Sequence, residues 1–180
     1  MRLEITERGP KEFYDEIMYI AANFKKFRTK PNKKTHSQTV VYTGYCVMSL
    51  LVVLVFLLEY FKEHNGMFLL LSGMMLVCFL LFIVMIASMK KRIGLMMNEP
   101  GAKIVDIDEK GVRYESERQT LFVKWDEIIN VIINKNSIVF MPRTDMQLMV
   151  SVYTRYKDQV LQAIEAAGRM DLVCDNTSKN

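Results

Sequence analysis

Signatures of catalysis and metal binding are missing from this 180-residue sequence, which has two histidines, three cysteines and one tryptophan. His36 and His64 have no cysteine or carboxylate at ligand spacing, and Glu63 beside His64 cannot share its helix face. No CxxC or Cys/His pattern suggests zinc, and Cys46, Cys78 and Cys174 form no disulfide framework. This fits a soluble part in a reducing compartment. There is no GxSxG, HExxH, P-loop or GxGxxG. Asp106 and Asp108 share a strand face, which strand-to-turn solvation explains better than a carboxylate pair does. No catalytic residue, metal ligand or cofactor is therefore expected, and the chain reads as a non-enzyme.

Charge is the second thing lacking, and its absence is local. Val40 to Leu58 and Met67 to Met89 contain no charged residue. Each run is close to the ~20 residues that a helix needs to cross ~30 Å of hydrocarbon. Together they predict a transmembrane helical hairpin over residues 36–92, with spans at about 40–61 and 67–89. Glu59 to Gly66 is the polar turn. Tyr42, Tyr45, Tyr60 and Phe61 sit where an interfacial aromatic belt belongs. With no ionisable residue inside either span, a proton relay or ion path is not expected. The hairpin reads as an anchor.

The net charge of +4 belongs to the flanks of these runs. Lys25, Lys26, Arg28, Lys30, Lys33 and Lys34 precede the first, and Lys90, Lys91 and Arg92 follow the second, whereas the turn carries only Lys62. The positive-inside rule then places both termini in the cytoplasm. From Ile93 onward the chain is mildly acidic, which argues against a nucleic-acid-binding surface. Near an anionic leaflet each collar cation could contribute ~1 kcal/mol. Lys33, Lys34, Lys90, Lys91 and Arg92 are the candidate lipid head-group contacts. The alternative is that the collar only sets topology.

Residues 1–35 read as a short strand (Arg2 to Thr6), an amphipathic helix of about five turns after Gly9-Pro10, and a basic linker. Phe13, Ile17, Ile20, Ala21, Phe24 and Phe27 give that helix an apolar face, and Glu12, Asp15 and Glu16 in its early turns favour the positive end of its dipole. It packs on the soluble domain or lies in the membrane interface. Residues 93–170 read as a soluble α+β domain. Lys103–Asp108, Val112–Glu115, Thr120–Trp125, Ser137–Met141 and Met146–Tyr153 are strand-like, and Asp126–Ile133 is ambiguous but rich in β-branched residues. Gly111 suits a turn that needs positive φ. Arg155–Gly168 is a C-terminal amphipathic helix with Gly168 as its cap. Residues 171–180 read as a disordered tail. The pattern is an antiparallel meander of five or six strands closed by one helix.

On these features the chain resembles the YcxB-like family of small bacterial membrane proteins. The resemblance is carried by LEIT and KEFYDEIMYIAANFKKFRT, two adjacent spans, Gly111, Trp125-x-x-Ile128-x-x-Val131 and a strand closing in Pro142-Arg143. Thr144, Asp145 and Met146 stand where the family carries basic residues and an aromatic. The resemblance implies a PH-like barrel after the hairpin and a bacterial inner (cell) membrane location; it implies no reaction. Trp125 and Arg143 are candidate partner or ligand contacts, although a core residue under the C-terminal helix is the simpler reading of Trp125 and a strand-ending turn that of Pro142-Arg143.

The expected function is a membrane-anchored cytoplasmic interaction or regulatory module. It would bind a protein partner or another copy of itself, through an edge strand or the groove beside its helix. The alternative is an anionic-lipid-sensing membrane protein.

Overall fold

A computed structural model describes residues 1–7, 9–32, 38–97 and 101–177. The chain divides into two compact units, residues 36–95 and, together, residues 1–35 with 96–180. The N-terminal segment is thus not a separate region. It belongs to the same body as the C-terminal half, and the apolar helices are an insertion within that body's sequence.

The inserted unit is two helices, α3 (Gln38–Glu63) and α4 (Gly66–Met97). Both are long and apolar enough to cross a membrane. The turn between them is shorter than expected, because α3 continues through the polar residues to Glu63. His64 adopts φ 51° and its N–H bonds the Tyr60 carbonyl, which ends α3. Asn65 starts α4 by accepting the Met67 N–H at 3.0 Å. Aromatic contacts link the helices, Tyr45 with Phe82 and Phe56 with Phe68. α4 also runs on through Lys90, Lys91 and Arg92 to Met97, past the expected end of the hairpin region at residue 92.

The other unit is two four-stranded sheets. β1 (Arg2–Ile5), β2 (Lys103–Ile107), β3 (Gly111–Glu115) and β4 (Thr120–Lys124) form an antiparallel sheet in sequence order. The second sheet holds β5 (Ile128–Ile133), β6 (Ser137–Pro142), β7 (Val150–Tyr153) and β8 (Val173–Asp175), in the order β7-β6-β5-β8. β5 and β8 are parallel and the other pairs antiparallel. This is an α+β fold, but not a closed barrel: β4 and β7 are outer strands of separate sheets. The 3-10 turn Met146–Leu148 packs against β4. Pairing with β2 turns Leu3 and Ile5 inward, opposite Val105 and Lys103.

The expected N-terminal helix is broken in two, α1 (Lys11–Ala22) and α2 (Phe24–Thr29). Asn23 causes the break: its side-chain amide donates to the Tyr19 carbonyl at 3.0 Å, competing with the helix ladder. The helix packs on the sheets. Phe13 and Tyr14 are buried, and Phe13 lies edge-on to Tyr153. After the break, Phe27 is turned inward and is 0% exposed. All six residues of β6 are buried, since it is an interior strand lying under α1.

Two acidic residues read as first-turn helix charges, Asp15 and Glu16, are also buried. Glu16 accepts the Ser137 hydroxyl at 2.6 Å and the Asn136 N–H at 3.2 Å, which ties α1 to the β5–β6 turn.

α5 (Lys157–Ala166) follows β7 and buries Val160 and Ile164. Gly168 closes it as expected. Its φ is +68°, its N–H bonds the Glu165 carbonyl, and the Arg169 N–H bonds the Ile164 carbonyl.

The tail expected to be disordered instead supplies β8. Lys157 Nζ lies 2.6 Å from Asp175, whose other oxygen accepts the Thr177 hydroxyl and N–H. Burial pushes the Asp175 carboxyl up, but the Lys157 and Thr177 bonds outweigh it and bring it down to about 2. A carboxyl lowered by folding stabilises above its unfolded value of 3.8, and the effect is lost as pH falls through about 2. Hydrogen exchange at the Asn176 amide, which bonds the Ile133 carbonyl, should therefore accelerate between those limits. In Asp175→Asn the exchange should already be fast at neutral pH and show no such transition.

Candidate functional site

A concavity of the two-sheet unit lies beside α5. It has a volume of about 620 Å³, within the ~300–1,000 Å³ of typical ligand clefts. One wall is Gln159, Gln162, Ala163, Ala166 and Ala167. Their spacing puts them on a single helix face. Three alanines leave the helix backbone open to close approach, and two glutamine amides flank them with donors and acceptors.

The opposite wall is the β2–β3 turn, from Ile107 to Lys110, with Met1 beside it. That turn is fixed by its own chain. The Asp108 carboxylate accepts the Lys110 N–H at 2.7 Å and the Gly111 N–H at 3.0 Å. The Lys110 N–H is the main cause of a carboxyl held below its usual range. From beneath, the Trp125 indole N–H donates to the Asp108 carbonyl at 2.8 Å. The Met1 ammonium donates to the Ile107 carbonyl and lies 3.7 Å from Asp106.

Trp125 is therefore not a surface contact. Its side chain is in the core, 2% exposed and near the Phe140 ring, because the indole both fills volume and satisfies a turn carbonyl. Arg143 is exposed in the turn that follows β6; its N–H bonds the Glu127 carbonyl and its own carbonyl accepts from Arg28. Lys90 and Lys91 are exposed near the end of α4. Arg92 continues the α4 backbone, while its side chain, and Lys33 and Lys34 entirely, lie outside the described residues. Of the two candidate partner contacts in the two-sheet unit, only Arg143 is therefore on the surface.

A smaller cavity of about 240 Å³ lies under α1, lined among others by Phe13, Tyr14, Tyr114, Leu121 and Tyr153. The Tyr14 and Tyr153 hydroxyls are 3.4 Å apart, and burial, then Tyr14, raises the Tyr153 hydroxyl pKa. A Cβ at Gly9 would meet the Tyr153 ring at 2.4 Å, so any larger residue there would have to displace that ring.

Neither groove was picked out as a set of residues by the sequence. The α5 stripe of Gln and Ala carries no chemical signature, and only the register with the β2–β3 turn makes it a wall. Among the described residues no group of three His, Cys, Asp or Glu could hold a metal ion. The arrangement can bind, through backbone approach and amide hydrogen bonds.

The fold and groove define a class: a two-sheet α+β body with an inserted pair of membrane-length helices. No family model matches the chain, and no curated protein or solved structure matches it.

Proposed function

We propose that this chain is a membrane-anchored interaction module, with α3 and α4 crossing the bilayer and the groove beside α5 receiving a segment of a protein partner. The observation that carries the reading is the insertion of two membrane-length helices, each with a long charge-free run, inside the sequence of one folded body. A body interrupted in this way keeps both chain ends on one side of the membrane. The basic flanks make that side the cytoplasm. The order of meander and terminal helix supports a PH-like, YcxB-like reading of the body, with its sheets unclosed.

The groove suits a peptide backbone better than a small polar metabolite, because its helix wall is alanine edged by amides. Ala166 is exposed, so Ala166→Trp should fill the groove while leaving the core unchanged. Full-length protein purified from native membranes in mild detergent should retain a stoichiometric partner. Ala166→Trp should lose it by roughly tenfold, about 1.4 kcal/mol, while Thr120→Trp on the exposed β4 edge keeps it. Retention by Ala166→Trp would rule out the groove as the binding site. Extraction of the wild type by alkaline carbonate would rule out the anchor.

A further inference from the structure

The second basic feature of the soluble body is α2. Within its short length and the residue after it lie Lys25, Lys26, Arg28 and Lys30, all exposed. The underside of the helix is spent in the core, with Phe27 fully buried against the Tyr19 ring. α2 therefore cannot turn an apolar face into a bilayer; it can only present its charges.

Those charges are held on a fixed plate. The Arg28 guanidinium donates to the Arg143 carbonyl at 3.0 Å, which brings the exposed Arg143 segment beside α2. Asn176 donates to the Pro31 carbonyl at 2.9 Å and so fixes the chain just beyond the helix. None of the five cations pairs with a carboxylate among the described residues. Clustered like charges repel, and an external anionic surface relieves the repulsion. The chain leaves this plate at Lys30 and enters α3 at Gln38.

We infer that the face formed by α2 and the Arg143 turn docks on the anionic phospholipid surface of the membrane. The inference rests on the anchor reading given above. It assigns the lipid contact to folded residues of the soluble body, in addition to any made by the flanks of the helices. An extended anionic surface matches a set of cations that are all exposed to solvent.

The test uses the full chain in nanodiscs of phosphatidylcholine alone or mixed with phosphatidylglycerol. Lysine acetylation rates are read by mass spectrometry. Lys25, Lys26 and Lys30 should react roughly threefold or more slowly in the anionic discs. Salt at 1 M, where screening acts within about 3 Å, should restore the rate. Lys110 and Lys124, exposed on the other sheet, should react equally in both. Equal rates at α2 in the two lipids would overturn the inference. So would protection independent of lipid charge, which would mark a protein contact instead. A chain that does not enter nanodiscs at all would overturn the anchor and not this face.

Discussion

Replacing Gly111 by alanine should lower the stability of the two-sheet body by about 3 kcal/mol or more, a severe effect for one methyl group. A Cβ at this position would lie 2.2 Å from the Val123 carbonyl oxygen and 3.0 Å from the Lys124 Cα. Both are backbone atoms of the neighbouring strand, so no side chain can rotate away. Relief requires β3 and β4 to separate where Gly111 pairs with Lys124. That separation would also strain the bond from the Trp125 N–H to the Lys110 carbonyl, next in the ladder. Trp125 is the only tryptophan and is buried in this body. Its emission therefore reports this unit and not the apolar helices. The midpoint of its thermal red shift should fall by roughly 10–20 °C in Gly111→Ala. A midpoint within about 2 °C of wild type would mean that the strands can part at little cost. The same variant should leave membrane fractionation unchanged, since no residue of α3 or α4 is involved.

Gly111 also illustrates what could be read in the sequence. A glycine after Glu109-Lys110 fits a turn, and a turn is there. Positive φ was the expected reason, yet the positive-φ glycines among the described residues are Gly101 and Gly168. The need at Gly111 is for close approach between strands, which depends on a register that no local pattern encodes. The apolar helices were legible because their composition alone separates them from everything else in the chain. Gly168 was legible because a helix C-terminus is a local event. The break at Asn23 was hidden under an apolar periodicity that runs across it. Glu16 was misread because an acidic residue in an early helical turn suits the dipole equally well in solvent. Its burial follows from the hydroxyl and amide of Ser137 and Asn136, more than a hundred residues away. β8 was missed for the same reason. A three-residue strand in a polar tail has no pattern of its own; Lys157 and the free edge of β5 give it order. The α5 groove was expected only as a place beside a helix. Its residues emerge from the meeting of a helix face and a turn.

Division of the chain at the apolar helices gives the second large effect. A fragment of residues 96–180 contains seven of the eight strands and α5, and read from the sequence it is an independent domain. It should nevertheless be unfolded. Without residues 1–35, β2 loses its β1 partner, and Val105, paired with Leu3, becomes an edge residue. Without α1, the outer face of β6 opens to water. Ser137 belongs to that face, since its hydroxyl meets Glu16, and the strand period places Val139 and Met141 there as well. Both are fully buried in the intact body. The removed residues take their own ordering entropy with them, so the decisive loss is the cover they give. A handful of such side chains, at about 1.5–3 kcal/mol each, is comparable with the ~5–15 kcal/mol that keeps a domain folded. The fragment should show red-shifted Trp125 emission and no cooperative melting. Adding a peptide of residues 1–35 should restore the blue-shifted emission with a saturable dependence on peptide concentration. A peptide with Phe27→Ala should do so more weakly, because a fully buried phenylalanine is worth about 3–5 kcal/mol. A fragment that melts cooperatively by itself would mean that the N-terminal segment decorates a finished domain. Rescue by the peptide would mean that the membrane helices interrupt a single fold, so that the body assembles only after both of its ends have emerged on the same side.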